Sequence, residues 1–375
     1  MKTVLITGAA GVVGSALVPL LLKEEATELR LIIRARSEEH LRERLGTLFN
    51  FWEIDGEDPS LSKRLKVFSG DVCRPSLGLE ERDYLHLAEE VTHVIHTAGN
   101  VKLNQPLEDA RRDALASAQQ IVAFASACRK RGPFVKLDFV STLGVAGKMP
   151  GLLPEEALRS PREFHNTYEA AKAEAEDFLL EEMQRGLPAT LHRPSMVVGD
   201  SQTGKVIRFQ VFYFLIDLLS GRRFWGIVPK SVNFRLDLIP VDYVARAIHI
   251  SSHRTDAGGR IFHHCSGPQD AIELSELILR LRSFFEEQGE SLPRLRRPRL
   301  EWIRRVLPYI TGVAPKRWRP VLKGLPYLIA YLEEEQSFDN TQSRIFFSNA
   351  GLSLPSVKEY LDTILSYFWN KRKDK

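Results

Sequence analysis

Tyr168 and Lys172 stand four positions apart in the segment Tyr-Glu-Ala-Ala-Lys. In a helix, side chains at positions i and i+4 project from one face, so the phenol would lie beside the ammonium group. A nearby cation favours the phenolate and lowers the pKa of a tyrosine. Such a pair can transfer a proton to or from a carbonyl oxygen. Because this spacing often arises by chance, its meaning depends on the elements around it.

A cluster of glycines follows the first apolar segment of the chain. Lys2–Thr7 is predicted to be a strand, an apolar helix should follow as far as Leu22, and a second strand at Leu29–Arg34 would complete a βαβ unit. Glycines in such a turn let the backbone approach a pyrophosphate, which the amides of the helix N-terminus bind. An isolated glycine cluster is often only a tight turn, but this context predicts dinucleotide binding. The predicted contact residues are Thr7, Gly8, Gly11, Val12, Val13 and Gly14.

The end of the second strand predicts which dinucleotide is bound. An acidic residue there would bind the ribose 2′-hydroxyl of NAD, whereas an arginine accommodates the 2′-phosphate of NADP. The sequence has Arg34 at this point and no acid before Glu38. Arg36 and Arg44 are further candidates for the phosphate. We therefore predict NADPH as the cofactor; the alternative is that these arginines only solvate a surface loop.

Strands alternate with helices through the first half of the chain, which predicts an α/β fold with a doubly wound parallel sheet of the Rossmann type. Further strands are predicted at Lys66–Ser69, Val91–Thr97, Val135–Ser141 and Thr190–Arg193, and long helices at Leu107–Arg131 and Tyr168–Met183.

After Pro194 the predicted elements are mainly helical. Helices are expected at Lys205–Leu219, Pro240–Ile250, Ile272–Glu287, Trp302–Ile310, Leu322–Leu332 and Ser356–Trp369, and late strands at Phe234–Ile239 and Ile261–His264. We expect residues 1–200, with about 232–265, to form the cofactor-binding domain. Residues 201–231 and 266–375 should form a smaller, mainly helical substrate-binding region.

Composition limits the partners and the location of the chain. It has 375 residues, 43% of them hydrophobic, and a formal net charge of +4, which does not favour nucleic acid. Its three cysteines are widely separated, which favours a reducing cytoplasmic location. The N-terminus shows no signal-peptide pattern, and the apolar run Val211–Leu219 is too short to span a bilayer. Peripheral contact with a membrane surface stays open.

Residue types that bind metals are scattered along the sequence. Cys73, Cys128 and Cys265 have no metal-ligand spacing. His93 and His96 fall on a predicted buried strand, where they should satisfy backbone partners, and with His263 and His264 they form no metal set. We predict no bound metal.

Ser141 and Thr142 end a predicted strand upstream of Tyr168. In a parallel sheet the carboxyl ends of strands line the ligand crevice, so a hydroxyl there can face a bound nicotinamide. With the glycine cluster and the Tyr-x-x-x-Lys pair, the sequence resembles the extended short-chain dehydrogenase/reductase superfamily over roughly residues 1–270. Alignment through Gly147 and back from Tyr168 places the hydroxyl of that superfamily on Thr142.

The resemblance implies a role for each of these side chains. Tyr168 would be the acid/base, Lys172 would lower its pKa and hold the nicotinamide ribose, and Thr142 would hydrogen-bond the substrate oxygen. Where the superfamily has an asparagine in the helix Leu107–Arg131, this chain has Ala114. The usual lysine–water–asparagine proton relay therefore lacks the asparagine side chain. The implied cofactor-binding residues beyond the glycine turn are Arg34, Arg44, Asp71, Val72, Thr97, Ala98, Tyr168, Lys172, Pro194 and Ser195.

A finer resemblance rests on the segment from His96 to Leu107, which reads His-Thr-Ala-Gly-Asn-Val-Lys-Leu-Asn-Gln-Pro-Leu. It is similar to fatty acyl-CoA reductases and to the terminal thioester-reductase domains of carboxylic acid reductases and of peptide and polyketide synthetases. The resemblance implies an NADPH-dependent reductase of an acyl thioester, carried on CoA or on a carrier protein, that yields an aldehyde or an alcohol. An oxidoreductase or epimerase of a lipid, sterol or nucleotide-sugar is the alternative, and a non-catalytic cofactor-sensing module is a third reading.

The second half of the sequence offers features for a bulky substrate. The aromatic run Phe209–Leu219 could line an acyl tunnel or could simply form core. Arg222, Arg223, Arg235 and the cluster Arg294–Arg305 could bind the phosphates of CoA, phosphopantetheine or a sugar nucleotide, or face an anionic membrane. A homodimer is expected only by analogy with the superfamily.

Overall fold

The structure is a computed structural model. It describes residues 2–103, 105–158, 161–222, 226–228, 234–299 and 336–373, together with positions 302, 305 and 309. The predicted helix Leu322–Leu332 lies outside the described residues, as do Arg223 and most of the predicted helix Trp302–Ile310.

A seven-stranded parallel sheet forms the centre of the fold. Its strands are β1 (Lys2–Thr7), β2 (Thr27–Ile33), β3 (Leu65–Ser69), β4 (His93–His96), β5 (Lys136–Val140), β7 (Ala189–Pro194) and β11 (Ile261–His264). They pair in the order β3-β2-β1-β4-β5-β7-β11. The α/β fold with a doubly wound parallel sheet is therefore confirmed.

The strands are buried because helices cover both faces of the sheet. In β1 every residue after Lys2 is buried, and so is every residue of β5. Near-continuous apolar runs of this kind are typical of parallel strands enclosed on both sides. The strand order reverses between β1 and β4. Ligands of such sheets bind outside the carboxyl ends of the strands at this switch point.

Helices connect the strands and form the outer layers. The described helices are α1 (Val12–Leu22), α2 (Glu38–Trp52), α3 (Pro59–Arg64), α4 (Glu81–Glu90), α5 (Leu107–Arg111), α6 (Ser117–Arg131), α7 (Thr167–Gln184), α8 (Val211–Leu219), α9 (Val241–His253), α10 (Leu274–Glu287), α11 (Thr341–Ser348) and α12 (Val357–Lys373). The predicted helix Leu107–Arg131 is interrupted, because a π-helical turn at Arg112–Ala116 separates α5 from α6. None of the helices in the described part of the chain has the length and apolar composition needed to cross a membrane.

Three short strand pairs accompany the main sheet, and the last two of them join three helices in a second core. β6 (Gly151–Leu153) pairs with β13 (Gln336–Phe338), β8 (Met196–Val198) with β10 (Leu238–Pro240), and β9 (Arg235–Leu236) with β12 (Ile272–Glu273). Helices α8, α10 and α12 share one buried cluster that contains Phe212, Leu281 and Ile364. Val12 belongs to the same cluster, so this core reaches the start of α1. The division of the chain into two domains stays a prediction.

The predicted elements of the first half are observed with small shifts, and the larger differences lie in the second half. The predicted helix Lys205–Leu219 begins only at Val211, because the backbone of its N-cap residue Gln210 is extended. The predicted strand Phe234–Ile239 is two short strands on either side of Asp237. The first two residues of the predicted helix Ile272–Glu287 form β12, since they pair with β9.

Candidate active site

The glycine turn joins β1 to α1 at the switch point of the sheet. Gly8 has φ +80°, and a Cβ atom there would lie 2.5 Å from the backbone nitrogen of Ala98. A Cβ atom at Gly14 would lie 2.3 Å from the carbonyl oxygen of Gly8. The carbonyl oxygen of Thr7 accepts hydrogen bonds from the amide and the hydroxyl of Thr97, at 3.0 and 2.8 Å. Only glycine fits at positions 8 and 14, because the ends of β1 and β4 approach so closely.

The first turn of α1 supplies hydrogen-bond donors directly after this turn. Gly11 is the N-cap residue, and its amide donates to the carbonyl oxygen of Gly8 at 2.7 Å. The amides of Val12, Val13 and Gly14 lie in the first turn, before the first amide that has an acceptor within the helix. Such amides, with the positive end of the helix dipole, bind pyrophosphate. The structure thus brings the six residues of the predicted glycine turn together.

Three arginines gather beyond the end of β2. Arg44 on α2 donates a hydrogen bond to the carbonyl oxygen of Arg34. Burial lowers the pKa of Arg44, and the charges of Arg34 and Arg208 lower it further. Within the described residues, none of the ion pairs involves these three guanidinium groups. The cluster therefore has the charge and the free donors that suit a phosphate group.

Arg208 is a member of this cluster that the sequence did not indicate. It lies in the loop before α8, far from the βαβ unit in sequence, and no spacing rule connects it to Arg34. Only the fold brings the two together. Arg36 is exposed, and its amide donates to Nδ1 of His40 at 3.2 Å.

The other predicted cofactor residues lie at the carboxyl ends of three further strands. Asp71 is held in a turn after β3, where its carboxylate accepts the amide of Cys73 at 3.0 Å. The amide of Ser195 donates to the carbonyl oxygen of His264 at 2.9 Å. The residues that follow or end these strands are Asp71 and Val72 at β3, Thr97 and Ala98 at β4, and Pro194 and Ser195 at β7.

Thr142, Tyr168 and Lys172 meet at the end of β5. The hydroxyl of Thr142 accepts the amide of Gly144 at 3.2 Å, and Thr142 lies close enough to Tyr168 to lower the pKa of its phenol. Lys172 lies one turn further along α7, and its ammonium group donates to the carbonyl oxygen of Val140 at 3.0 Å. The buried hydroxyl of Ser141 instead donates to the carboxylate of Glu176 at 2.5 Å. This arrangement favours Thr142 over Ser141 as the hydroxyl that faces a substrate.

The protonation of this group differs from the sequence-based expectation. Burial raises the pKa of Tyr168 to about 12, and the hydrogen bond with Thr142 opposes this only in part. Burial also lowers the pKa of Lys172 to about 8, although the carboxylate of Glu176 counteracts it. The lysine does not hold the phenol pKa down here, because its ammonium group is directed at Val140. At neutral pH the tyrosine is therefore a neutral phenol, ready to donate a proton.

A chain of polar side chains runs from β1 to the π-helical turn that contains Ala114. The ring of His96 bonds the hydroxyl of Thr7 at 2.8 Å through Nδ1 and the hydroxyl of Ser117 at 3.2 Å through Nε2. Burial lowers the pKa of His96 to about 3, so its imidazole is neutral. The prediction that His93 and His96 bond backbone groups is wrong, because both rings bond hydroxyl groups instead. Nδ1 of His93 lies 2.8 Å from the hydroxyl oxygen of Thr92.

Two of the arginines predicted to bind substrate phosphates already have partners. The guanidinium group of Arg222 stacks on the rings of Phe285 and Trp369, 4.4 and 5.2 Å from their centroids. It also pairs with Glu290 at 3.1 Å. Arg235 pairs with Glu273 at 2.9 Å. Exposed arginines without ion pairs are found instead in the described part of the predicted cluster, at Arg294, Arg296, Arg297 and Arg299.

The aromatic run before and within α8 is mainly core. Phe212 and Ile216 are fully buried in the cluster shared with α10 and α12. The ring of Phe209 packs on those of Tyr213 and Phe368, with 4.6 and 5.2 Å between centroids. These contacts support the reading of the run as core rather than as the wall of an open tunnel.

Comparisons with known proteins agree with this geometry. Residues 6–248 match the family model described as male sterility protein. The chain is 30% identical over 303 residues to an isonitrile lipopeptide synthase of Streptomyces coeruleorubidus, with 80% of this chain and 19% of that protein covered. It is 27% identical over 287 residues to an L-2-aminoadipate reductase of Schizosaccharomyces pombe, with 72% and 19% covered. The chain thus spans about a fifth of the length of these curated relatives.

A solved structure is similar over nearly the whole chain. The terminal R domain from the myxalamid PKS-NRPS biosynthetic pathway superimposes with a TM-score of 0.80 and 25% identity, and the match covers 99% of this chain and 91% of that one. The family match covers well over half of the chain, including the glycine turn, Thr142 and the Tyr-x-x-x-Lys pair. The chain therefore belongs to the male sterility protein family of the extended short-chain dehydrogenase/reductase superfamily, and it is an NAD(P)-binding oxidoreductase of that type.

Proposed function

We propose that this enzyme uses NADPH to reduce an acyl thioester, carried on CoA or on a carrier protein, to an aldehyde. The observation that carries the proposal is the convergence of Thr142, which follows β5, with Tyr168 and Lys172 on α7, where the ammonium group of Lys172 donates to the carbonyl oxygen of Val140 at 3.0 Å. A neutral phenol and a hydroxyl are the donors that a carbonyl oxygen needs as it gains negative charge. The protonated tyrosine is the form that donates a proton to a carbonyl oxygen during its reduction.

The residues of the crevice fit a phosphorylated dinucleotide. Neither Gly8 nor Gly14 has room for a Cβ atom. Because these positions carry no side chain, the pyrophosphate can approach the backbone closely. Arg34, Arg44 and Arg208 would hold the 2′-phosphate, because they form a positive cluster that has no carboxylate partner among the described residues. NADH offers no group for this cluster, so we propose NADPH as the cofactor.

The bound cofactor would supply a hydride to the carbonyl carbon of the thioester. Thr142 and Tyr168 would donate hydrogen bonds to the carbonyl oxygen as the tetrahedral intermediate forms. Lys172 would hold the nicotinamide ribose and, through Val140, the position of α7. When the C=O bond re-forms, the C–S bond breaks and the thiolate leaves with one proton, so that thioester, NADPH and a proton give aldehyde, thiol and NADP. A second hydride would give the alcohol.

The similarity to an R domain and to an L-2-aminoadipate reductase supports a thioester substrate for this chain. The exposed arginines Arg294, Arg296, Arg297 and Arg299 are available for the phosphates of CoA or of a phosphopantetheinyl arm. They are the described residues of the second half that best suit this role, since Arg222 and Arg235 have partners of their own.

The test is a parallel assay of cofactor oxidation and thiol release. The full chain is incubated with NADPH and a panel of acyl-CoA and acyl-carrier substrates, and the products are identified by mass spectrometry. We expect one free thiol and one aldehyde for each NADPH oxidised in the first step. Cofactor turnover with ketone or hydroxyl substrates and no thiol release would contradict the proposal and favour a carbonyl oxidoreductase or an epimerase.

A further inference from the structure

Two histidines and a glutamate meet at the end of α1 opposite the glycine turn. His249 and His253 stand one turn apart on α9, and Glu24 lies in the turn between α1 and β2. Nε2 of His249 lies 2.5 Å from Oε1 of Glu24, and Nε2 of His253 lies 3.1 Å from the same oxygen. We propose that Glu24, His249 and His253 bind a Zn²⁺ ion, contrary to the prediction from sequence that no metal is bound.

The spacing of the three groups is close to that of a tetrahedral metal site. All candidate ligand atoms lie within 4.8 Å of one another. Ligands at about 2.0–2.2 Å from a tetrahedral zinc ion are separated by about 3.4 Å. Small rotations of the three side chains therefore suffice to admit the ion. Two imidazoles four residues apart on one helix face, with a carboxylate from another element, leave a fourth position for water.

Hydrogen bonds orient the side chains of His253 and Glu24 in the way that is typical of metal ligands. A backbone carbonyl can only accept, so the 2.8 Å contact between Nδ1 of His253 and the carbonyl oxygen of His249 places the proton on Nδ1. Nε2 of His253 then keeps the lone pair that a metal ion requires. The carboxylate of Glu24 is held in turn by the hydroxyl of Thr27, which donates to Oε2 at 2.7 Å. Hydrogen bonds of this kind typically orient the ligands of metal sites and set the imidazole tautomer.

An ion can reach the site from solvent. The side chains of Glu24 and His249 are each 27% exposed, and that of His253 is 38% exposed. Two imidazole ligands favour zinc and similar transition metals over Mg²⁺ and Ca²⁺, which prefer oxygen ligands.

The ammonium group of Lys2 lies beside the three proposed ligands. Its ammonium group donates to the hydroxyl of Ser252 at 3.1 Å and lies 3.0 Å from Nε2 of His253. Zinc must displace this group, and the flexible lysine stem allows it to turn away. Removal of the ammonium group should therefore tighten zinc binding.

The role of the ion follows from its position. Helix α1 has 11 residues and separates the turn at Glu24 from the glycine turn by about 16 Å. The ion would join the α1–β2 turn to α9 and would lie too far away to touch a bound dinucleotide. It should therefore stabilise the fold and leave turnover unchanged. The site goes beyond the proposed reductase activity and does not depend on it.

The test is metal binding by the full chain without an affinity tag, after removal of metals with a chelator. Calorimetric titration with ZnCl₂ should show one site per chain, and zinc should raise Tm. His249→Ala and His253→Ala should each weaken binding at least about tenfold. His86→Ala, which removes an exposed histidine of α4, is the matched control and should bind zinc like the unaltered protein.

Circular dichroism of the metal-free variants checks that they fold. If His249→Ala does not fold, His253→Ala decides, because His253 is the most exposed of the three ligands. Lys2→Met should bind zinc more tightly than the unaltered protein. The proposal is overturned if the unaltered protein shows no stoichiometric binding, if both histidine variants bind zinc as tightly as it does, or if Lys2→Met binds more weakly.

Discussion

The ammonium group of Lys172 donates a hydrogen bond to the carbonyl oxygen of Val140, with 3.0 Å between the two atoms. Val140 is the last residue of β5, and Thr142 follows it by two positions. The bond fixes α7 to the strand end that carries Thr142. It therefore keeps Tyr168 beside Thr142. Among the described contacts no hydrogen bond joins Lys172 to Tyr168, so the lysine positions the tyrosine through the backbone.

Replacement of Lys172 by methionine should stabilise the protein at neutral pH. Burial lowers the pKa of Lys172 from 10.5 to about 8, so below pH 8 the folded protein holds a buried ammonium group at a cost. Between pH 8 and 10.5 the unfolded chain binds more protons, and the free energy of unfolding rises with pH until the cost is gone. Lys172→Met should raise the free energy of unfolding by about 1–2 kcal/mol at pH 7.

Urea denaturation at pH 7 and at pH 10 measures this effect. The advantage of Lys172→Met should shrink at the higher pH, and its turnover should be lost at both. Lys130→Met, at an exposed position of α6, is the control and should change neither quantity. A variant that is destabilised equally at both pH values would contradict the assigned cost of the buried ammonium group.

Replacement of Tyr168 by phenylalanine should remove turnover and spare cofactor binding. The phenyl ring keeps its packing, but the proton donor and the hydrogen bond to Thr142 are lost. We expect kcat to fall by at least about 100-fold, the usual contribution of a positioned acid. The Kd for NADPH should change by less than about threefold, since this affinity depends mainly on the glycine turn and the arginine cluster.

Fluorescence titration gives the Kd, and a steady-state assay gives kcat. Tyr84→Phe is the matched control, because Tyr84 lies on α4 and packs against Phe124. It should leave both values unchanged. A Tyr168→Phe enzyme with normal kcat would show that the proton comes from another group, and a protein without turnover before mutation would favour the cofactor-sensing reading.

Replacement of Arg208 by glutamine should change the choice of cofactor. Arg208 adds its charge to those of Arg34 and Arg44, and we propose that the three bind the 2′-phosphate. Loss of one charge-assisted hydrogen bond costs about 1.5–3 kcal/mol, so KM for NADPH should rise by about 10- to 100-fold. KM for NADH should stay the same. Arg42→Gln removes an exposed arginine of the same helix as Arg44 and should affect neither cofactor.

The fold and the cofactor turn were predictable because their signals are local. Glycine spacing, apolar strands and the Tyr-x-x-x-Lys pair each lie within a short segment, and the parallel sheet follows from their alternation. The proposed role of the Thr142 hydroxyl could be derived because its position is tied to Gly147 and to Tyr168 along the chain.

The remaining features depend on contacts between distant segments. Arg208 joins Arg34 only because a loop after β8 returns to the end of β2. The sequence predicted Arg222 as a ligand of a phosphate, yet its guanidinium group stacks on the rings of Phe285 and Trp369. The pKa of Tyr168 could not be predicted, because burial, which no spacing reveals, outweighs the neighbouring hydrogen bond.

Replacement of Gly8 by alanine should weaken the cofactor site. A Cβ atom there would lie 2.5 Å from the backbone nitrogen of Ala98, and the φ of +80° is unfavourable for any other residue. The backbone must therefore shift where the pyrophosphate approaches it. We expect the Kd for NADPH to rise at least tenfold, and the free energy of unfolding to fall by about 1–3 kcal/mol.

Gly46→Ala provides the opposite control on α2. No atom lies within 4 Å of a Cβ atom built at Gly46, and the position is inside a helix, where alanine is favoured over glycine. This variant should bind NADPH normally and gain about 0.5–1 kcal/mol of stability. Titration with NADPH and urea denaturation of both variants measure the contrast. Equal affinities for NADPH would show that the cofactor does not approach the backbone at Gly8.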